Sequence, residues 1–341
     1  MSTAYPFGAP VGSSPLSGAP LVAEVVRNGF IESVHHGVVA AVDATGRSVI
    51  NVGPIEAPIL PRSSLKPLQV IAMLRAGAQF AEPELLALAS ASHSGESFHR
   101  EGARRILASV GLHETDLQNT PSLPLSEPER DRFLAEGIRP SSLAQNCSGK
   151  HSGMLAACVA AGWDTQTYLD PAHPLQQLIV EVVEELTGDR VAATTVDGCG
   201  APALAVTTLG LARAFGRIAA ARRSTPEGQL AAAIRAAPAW LGGTGRDVTR
   251  LIEGVPGLIA KDGAESVYAV GLADGSGLTV KIADGYDRAR VVVMTAALRR
   301  LGALDLGPEV GAVLDALDAD AVVKGHGEPV GAVRVAVHEW S

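Results

Sequence analysis

A serine and a lysine stand three residues apart near the start of a predicted helix. Ser63 and Lys66 form an S-x-x-K motif in the stretch PRSSLKPLQVIAMLRAG. Residues three apart share one face of a helix, with Cβ atoms about 5–6 Å apart. A neutral lysine can take the proton of a serine hydroxyl, and burial beside a second cation favours the neutral amine. The motif therefore indicates a serine nucleophile, although an N-cap serine followed by an exposed lysine has the same spacing.

A second group of hydroxyls follows the next apolar segment. The stretch SASHSGES at residues 90–97 places serines and Gly95 around His93. Such a turn can present Ser92 and backbone N–H groups to a pocket, as acyl transfer requires. An ordinary polar turn that ends a helix is the alternative, and the stretch alone does not decide between the two.

A thiol, an amine and an imidazole lie within five residues in NCSGKHSGM, residues 146–154. Cys147 and Lys150 can share a helical face, and a further thiol, Cys199, lies in VDGCGAPA. Two cysteines so far apart do not have a zinc-ribbon spacing. Cys147 and His151, four residues apart, form a rival nucleophilic pair, but no Asn or Asp that would orient the imidazole is identifiable. From spacing alone a metal site, a nucleophile with its base and a polar helix start all stay open.

Composition excludes several classes of protein. The chain has 341 residues, 47% of them hydrophobic, enough to bury a full core. Its formal charge is -8 and its Lys and Arg residues are scattered, which argues against nucleic acid as a partner. No long apolar run or secretory signal is visible, and three cysteines fit a reducing compartment. We therefore expect a cytoplasmic protein with no membrane partner, which binds a small molecule or another protein.

The predicted elements place strands at both ends of the chain. Residues 1–20 are rich in Pro, Gly and Ser and predict a flexible arm before a single catalytic domain at 21–341. Four β-branched runs follow, and their punctuation by glycine predicts an antiparallel meander: LVAEVVRNG, FIESVHHG, VVAAVDATG and SVINVG. Strand patterns return at GLIAK, ESVYAVGL and GLTVKIAD, and again at VGAVRVAVHE after a helix DRARVVVMTAALRRLG.

Between these strands the patterns are helical, over a subdomain of roughly residues 80–255. After the helix that carries Lys66, further helices are predicted at 82–89, 98–110, 128–136, 150–161, 174–186, 204–221, 228–237 and 246–253. Terminal strands around a helical middle predict an α+β fold, an α/β sandwich in which the N- and C-terminal strands join one antiparallel sheet.

Four motifs, in this order and at these separations, resemble the Rhizobium etli-type L-asparaginases: RSSLKPLQ, SASHSGE, NCSGKHSGM and TTVDGCGAPA. The resemblance extends from about Leu21 to Asp284. It implies a fold similar to that of serine β-lactamases and penicillin-binding proteins, a homodimer, and an amidohydrolase that converts L-asparagine to L-aspartate and ammonia.

The resemblance also implies catalytic roles. The family's two serine–lysine pairs fall on Ser63 with Lys66, and on Ser92 with Lys261 of LIAKDGAES. One serine would attack the side-chain amide after giving its proton to a lysine, and water would hydrolyse the acyl-enzyme. Ser63 is favoured as the nucleophile because it is part of the S-x-x-K at a helix start.

The remaining implied roles concern zinc and the amino-acid end of the substrate. The family's zinc ligands fall on Cys147, Lys150 and Cys199, and zinc is expected to orient the substrate rather than to activate water. The substrate-binding positions fall on Arg62, Asp197 and again Lys150. Arg62 can bind a carboxylate and Asp197 an ammonium, the two charges of a free α-amino acid.

Other functions are compatible with parts of this pattern. A glutaminase would differ by one methylene in its substrate, a discrimination of only about 1–3 kcal/mol. A penicillin-interacting serine hydrolase shares S-x-x-K, but the S-D-N and K-T-G motifs are missing. The non-enzymatic alternative is a zinc-stabilised structural or amino-acid-sensing domain, in which Cys147 and Cys199 only tie two segments together.

Overall fold

A computed structural model describes residues 14–336 of the chain. Its strands are β1 (Leu21–Arg27), β2 (Phe30–Val42), β3 (Ser48–Val52), β4 (Pro58–Ile59), β5 (Ala193–Val196), β6 (Pro202–Thr207), β7 (Ile259–Gly263), β8 (Val267–Gly271), β9 (Gly277–Ile282), β10 (Val322–Gly325) and β11 (Glu328–Val335). Its α-helices are α1 (Lys66–Arg75), α2 (Pro83–Ala89), α3 (Ser97–Ala108), α4 (Glu127–Ala135), α5 (Ser148–Ala161), α6 (Pro174–Thr187), α7 (Thr208–Ala220), α8 (Pro226–Ala236), α9 (Pro238–Leu241), α10 (Asp247–Gly254), α11 (Arg290–Arg300) and α12 (Val310–Ala319).

One antiparallel sheet joins the two ends of the chain. The strand order is β10-β11-β1-β2-β9-β8-β7, and β3 pairs with the second half of β2. In the register of this sheet Val25 of β1 lies opposite Val333 of β11, and Val39 of β2 lies opposite Val280 of β9. The predicted α+β class, with N- and C-terminal strands in one sheet around a helical middle, is confirmed.

Helices cover this sheet. Strands β7, β8 and β9 are buried at every position, which requires both of their faces to be covered. Helix α7 packs against β2, β8 and β9, while α11 packs against β8, β9 and β11. Phe215 of α7 and Val293 of α11 are fully buried in the resulting core. The edge strand β7 is thereby held rigidly, which matters because it carries Lys261.

The predicted break between two of the first strands is wrong. FIESVHHG and VVAAVDATG form one continuous strand, β2. His36 pairs with Leu21 of β1 and the next residue, Gly37, pairs with Ile282 of β9, so the strand passes from one partner to another without a turn. A Cβ atom at Gly37 would lie 2.8 Å from the carbonyl oxygen of Lys281. The glycine therefore permits close packing and does not mark a turn.

The predicted helix at 204–221 is only partly correct. Residues 202–207 form β6, which pairs with β4 and β5 in a separate small sheet. Helix α7 begins after Thr207, whose hydroxyl accepts a hydrogen bond from the Gly210 N–H. The apolar run before Thr207 has no period that separates a strand from a helix. The elements β4, β5, β10, α9 and α12 were not predicted.

The N-terminal arm predicted at 1–20 is described only from residue 14 onward. Residues 1–13 lie outside the described range. Next to them, His36 Nδ1 donates to the carbonyl oxygen of Ala19 over 2.9 Å, and the Gly37 N–H donates to that of Pro20 over 3.0 Å. The end of the predicted arm therefore packs against β2. In the described part of the chain no helix is long and apolar enough to cross a membrane.

Candidate active site

The S-x-x-K stretch lies directly against the edge of the main sheet. Residues Arg62–Leu65 form a 3-10 turn that continues into α1. The Ser64 hydroxyl donates to the carbonyl oxygen of Lys261 on β7 over 3.1 Å. A Cβ atom at Gly263 would lie 2.5 Å from the carbonyl oxygen of Pro61. Only glycine allows β7 to approach the turn this closely, and the approach fixes the start of α1 beside Lys261.

Lys66 extends from the first residue of α1 into the protein interior. Its Nζ atom donates to the carbonyl oxygen of Ala91 at 2.5 Å, the hydroxyl of Ser92 at 3.1 Å and the sulfur of Cys147 at 3.2 Å. A protonated Lys66 satisfies three N–H donors in this way, whereas a neutral Lys66 has two N–H donors and a lone pair that can accept from the Ser92 hydroxyl. By contrast, within residues 14–336 the Ser63 hydroxyl has no hydrogen-bond partner. Lys66 thus contacts Ser92 and not Ser63, the serine with which the sequence paired it.

Both predicted serines line one cavity. Ser63 and Ser92 belong to the wall of a space of about 630 Å³, together with Asn146, Thr244 and Arg246. This volume is typical of small-molecule sites. A larger cavity of about 880 Å³ lies beside β10 and β11, but neither serine lines it. The smaller cavity is therefore the one that contains the candidate chemistry.

The second predicted lysine, Lys261, is fully buried on β7. Its Nζ atom donates to the side-chain Oδ1 of Asp262 at 2.5 Å and to that residue's carbonyl oxygen at 2.6 Å. It makes no hydrogen bond to Ser92 in the described structure. Burial lowers the pKa of Lys261 to about 8, because the loss of solvation and the nearby Lys66 cation outweigh the attraction of Asp262. Lys261 can therefore lose its proton close to neutral pH.

Lysine is scarce in this chain and its burial is unusual. The sequence contains five lysines. Lys66, Lys150 and Lys261 are at most 1% exposed, and Lys281 is 7% exposed. Lysine is almost never fully buried unless it is paired, because its charge loses solvation there. Each of these buried amines has an acceptor: Lys66 donates to Ser92, Lys150 to Cys199, Lys261 to Asp262 and Lys281 to the carbonyl oxygen of Glu265.

Cys147, Lys150 and Cys199 form one buried group. Lys150 Nζ donates to the Cys199 sulfur over 3.0 Å. The interaction of the two neighbouring sulfurs lowers the pKa of Cys199 and raises the pKa of Cys147. Burial opposes the charge of Lys150, but the two sulfurs raise its pKa. The structure thus brings together the three residues that the sequence proposed as metal ligands.

The donor atoms of this group fit zinc. Zinc in proteins is held by thiolate sulfur and by nitrogen, and three protein ligands leave a fourth position for another group. The described residues include no cluster of three or more His, Cys, Asp or Glu side chains placed for a metal ion. The third protein ligand would therefore be Lys150, which must bind as the neutral amine.

The rival pairing of Cys147 with His151 is not formed. Cys147 accepts from Lys66 and donates to Asn146 Oδ1 over 3.4 Å. His151 Nδ1 instead lies 2.8 Å from the Tyr168 hydroxyl. Burial lowers the pKa of His151 to about 4, so its ring is neutral at physiological pH. Within the described residues, His151 is therefore not hydrogen-bonded to the Cys147 thiol that it would have to activate.

Two of the three predicted substrate-binding residues, Arg62 and Asp197, bind each other. Arg62 Nε donates to Asp197 Oδ1 over 2.8 Å, and a second guanidinium nitrogen lies 2.7 Å from the same oxygen. Arg62 has a φ of +53°, in the left-handed region that side chains rarely adopt. Such backbone strain costs about 1–3 kcal/mol and is concentrated at functional sites. In this conformation the side chain of Arg62, the residue directly before Ser63, reaches Asp197.

Two residues of the cavity wall were missed from the sequence. Arg246 Nη2 lies 2.6 Å from Asp262 Oδ2, and its Nη1 donates to the carbonyl oxygen of Ser92 over 2.6 Å. Although burial opposes its charge, the cations Lys261, Arg246 and Arg290 lower the pKa of Asp262 well below its usual range. The available signal was the position of Asp262 beside Lys261. Arg246 lies in a region without a recognisable motif.

A lysine amine bound to a serine hydroxyl at the wall of such a cavity provides the means for acyl transfer to water. This arrangement, on an α+β scaffold, is that of a hydrolase. The family model described as L-asparaginase II matches residues 23–335, and the chain belongs to that family. The resemblance seen in the four sequence motifs is thereby confirmed, and with it the expectation of a small-molecule substrate.

Solved structures show weaker likenesses. A β-lactamase from Mycobacterium bovis is 17% identical, with 83% of this chain and 94% of that chain covered and a TM-score of 0.41. EstCE1, described as a hydrolase with promiscuous acyltransferase activity, is 12% identical with the same coverage and a TM-score of 0.38. None of the curated proteins compared with the chain matches it.

Proposed function

We propose that this protein is an L-asparaginase, which hydrolyses L-asparagine to L-aspartate and ammonia through a serine acyl-enzyme. The observation that carries the proposal is the hydrogen bond from Lys66 Nζ to Ser92 Oγ, 3.1 Å long, beside the cavity that Ser63 also lines. Membership of the L-asparaginase II family supports the choice of substrate.

Ser63 is the proposed nucleophile because it lines the cavity and its hydroxyl has no hydrogen-bond partner among residues 14–336. Its oxygen forms a bond to the side-chain amide carbon while its proton passes to Ser92 Oγ, and the Ser92 proton passes to the lone pair of a neutral Lys66. The C–N bond then breaks, a proton returns along the same path to the departing nitrogen, and ammonia leaves. Water attacks the ester that remains, gives one proton back to Ser63, and releases aspartate.

The two buried lysines Lys66 and Lys261 are suited to these proton transfers. A base must be neutral to accept a proton, and its pKa should lie near the working pH. Lys261, with its pKa lowered to about 8 by burial, provides a lysine that is partly neutral under these conditions. Lys66 provides the contact with a serine hydroxyl. The proposal gives the two lysines separate tasks in one buried group.

Arg62, Asp197 and the sulfur group are proposed to hold the amino-acid end of the substrate. The α-carboxylate would pair with Arg62 and the α-ammonium with Asp197, so that binding separates their ion pair. Cys147, Lys150 and Cys199 would hold zinc, which would supply a fixed positive charge that orients the substrate. A homodimer and a cytoplasmic location stay predictions from the sequence.

The substrate is tested by ammonia release from L-asparagine and from L-glutamine. We expect L-asparagine to be preferred by about 10-fold or more, the discrimination that one methylene commonly provides. Nitrocefin is expected to remain intact, which separates the protein from penicillin-interacting hydrolases. If folded, zinc-supplied protein releases ammonia from neither amide, the proposal is wrong and the structural or amino-acid-sensing alternative gains support.

Zinc binding is tested through the metal content of cysteine variants. The Cys199→Ala variant should lose zinc by about 10-fold or more after dialysis, because one of three protein ligands is gone. Cys158→Ala is the matched control, since Cys158 is a buried thiol of α5 outside the sulfur group. Mass spectrometry of the metals gives the ratio. Equal zinc in both variants would show that the sulfur group is not the site.

A further inference from the structure

Arg246 joins two segments that carry the candidate chemistry. It is the residue before α10, and its side chain is mostly buried, at 22% exposure. Nη1 donates to the carbonyl oxygens of Ser92 at 2.6 Å and Gly242 at 3.2 Å. Nη2 lies 2.6 Å from Oδ2 of Asp262. One planar guanidinium therefore bridges the backbone of the Ser92 turn and a side chain of β7.

Asp262 divides its carboxylate between two cations. Oδ2 accepts from Arg246 and Oδ1 accepts from Lys261. The carboxylate is consequently held from both sides and cannot rotate without breaking one buried charged hydrogen bond. Such bonds between charged groups are the strongest that side chains form. The chain of contacts runs from the Ser92 backbone through Arg246 and Asp262 to the Lys261 amine.

We propose that Arg246 is a positioning residue, which acts through Asp262 to fix the Lys261 amine relative to Ser92. This inference rests on the proposed hydrolase function, because it gives Lys261 a part in proton transfer. Arginine suits the position because its rigid fork can bind a carbonyl and a carboxylate at once, whereas lysine presents a single nitrogen.

The charges around Lys261 come from every element packed against it. Asp262 lies on β7, Lys66 begins α1, Arg246 precedes α10, and Arg290 of α11 acts through Asp262. The Arg290 guanidinium carbon lies over the ring of Tyr268 of β8, 5.4 Å from the ring centre. Burial lowers the pKa of Lys261, Asp262 raises it, and Lys66 and Arg246 lower it further. Arg246 and Asp262 therefore act on Lys261 in opposite directions.

Removing each charge should shift the Lys261 titration in opposite senses. The Arg246→Gln variant loses a cation, so Lys261 should lose its proton at a pH higher by about one unit. Asp262→Asn loses the anion, so Lys261 should lose its proton at a pH lower by about one unit or more. If neutral Lys261 is the active form, the rise of kcat/KM with pH moves up in the first variant and down in the second.

The Arg246→Lys variant separates charge from position. It keeps the cation, so the Lys261 titration should stay near that of the wild type. It cannot make the bridge, so kcat should fall by about 10²-fold, the loss that a misplaced catalytic group commonly causes, with a smaller change in KM. Arg250→Gln is the matched control, since Arg250 lies in the first turn of α10, four residues after Arg246, and pairs with the exposed Asp320. That control should keep both the titration and kcat.

Nuclear magnetic resonance of ¹⁵Nζ-lysine-labelled protein measures the titration without substrate. Five lysines give few signals, and the signal absent from Lys261→Arg is that of Lys261. Thermal unfolding of each variant shows whether it is folded. The inference is overturned if the Lys261 titration fails to shift in opposite directions in folded Arg246→Gln and Asp262→Asn, or if Arg246→Lys keeps full kcat. Failure of the wild type to release ammonia instead contradicts the proposed function, and the lysine titration still gives its answer.

Discussion

The Lys66→Met variant is expected to lose about 10²–10⁴-fold in kcat for ammonia release from L-asparagine, the usual contribution of a general base. Methionine keeps the length and the apolar stem of the side chain but cannot accept a proton. The change leaves the Ala91 carbonyl, the Ser92 hydroxyl and the Cys147 sulfur without their donor. An unmet buried polar group costs about 1–3 kcal/mol.

Two further variants test whether the loss of kcat comes from proton transfer by Lys66. Lys66→Arg keeps a positive charge at the position but is always protonated, so it should be as slow as Lys66→Met if proton transfer is the role. Lys324→Met, at the exposed lysine of β10, is the matched control and should keep kcat within about twofold. Stopped-time ammonia assays on all three suffice. A Lys66→Met enzyme that keeps more than about a tenth of wild-type kcat, outside the range typical of a general base, would remove Lys66 from the proton-transfer steps.

The contacts of Lys66 show what residue spacing in the sequence cannot predict. The S-x-x-K motif correctly predicted a helix start and a lysine near a serine hydroxyl. It did not predict which hydroxyl, because a buried ammonium chooses among all acceptors that tertiary packing brings to it. Ala91 and Ser92 follow the end of α2, and Cys147 precedes the start of α5. Their distances from α1 are set by the packing of these helices, which the local sequence does not reveal.

Arg246 and Asp262 were missed for a related reason. Consecutive residues of a strand point to opposite faces, so Lys261 and Asp262 are not expected to meet. They do meet because lysine has a long, flexible stem that can turn back along β7. Arg246 gains its role from the start of α10 near the Ser92 turn, a contact between residues 154 positions apart. Only the folded chain makes that proximity visible.

The long strands and helices were more predictable than the short strands and the role of single glycines. Regular patterns identified the strands that became β1, β3, β7, β8 and β9, and most of the helices, because alternation and helical spacing are local properties. Glycines were ambiguous, since Gly37 lies within β2 where a turn was expected. The small sheet of β4, β5 and β6 was missed because two-residue and four-residue strands carry too little pattern.

The Ser63→Ala variant is expected to lose about 10⁴-fold or more in kcat and to form no covalent intermediate, because it removes the attacking oxygen. Ser92→Ala should lose less, about 10²-fold, and should still form the intermediate slowly, because it removes only a group in the proton path. The structural reason is that Ser92 is bound to Lys66 at 3.1 Å while Ser63 faces the cavity free.

Acid quenching followed by digestion with pepsin at low pH preserves an ester and reports which serine carries the aspartyl group. The adduct should be found at Ser63 in the wild type and in Ser92→Ala, and in neither serine of Ser63→Ala. Ser109→Ala is a matched control, since Ser109 bonds only within its own helix end, to Ile106. An adduct at Ser92 would exchange the two roles, and Lys66, already in contact with that hydroxyl, would then be the direct base of the attacking group.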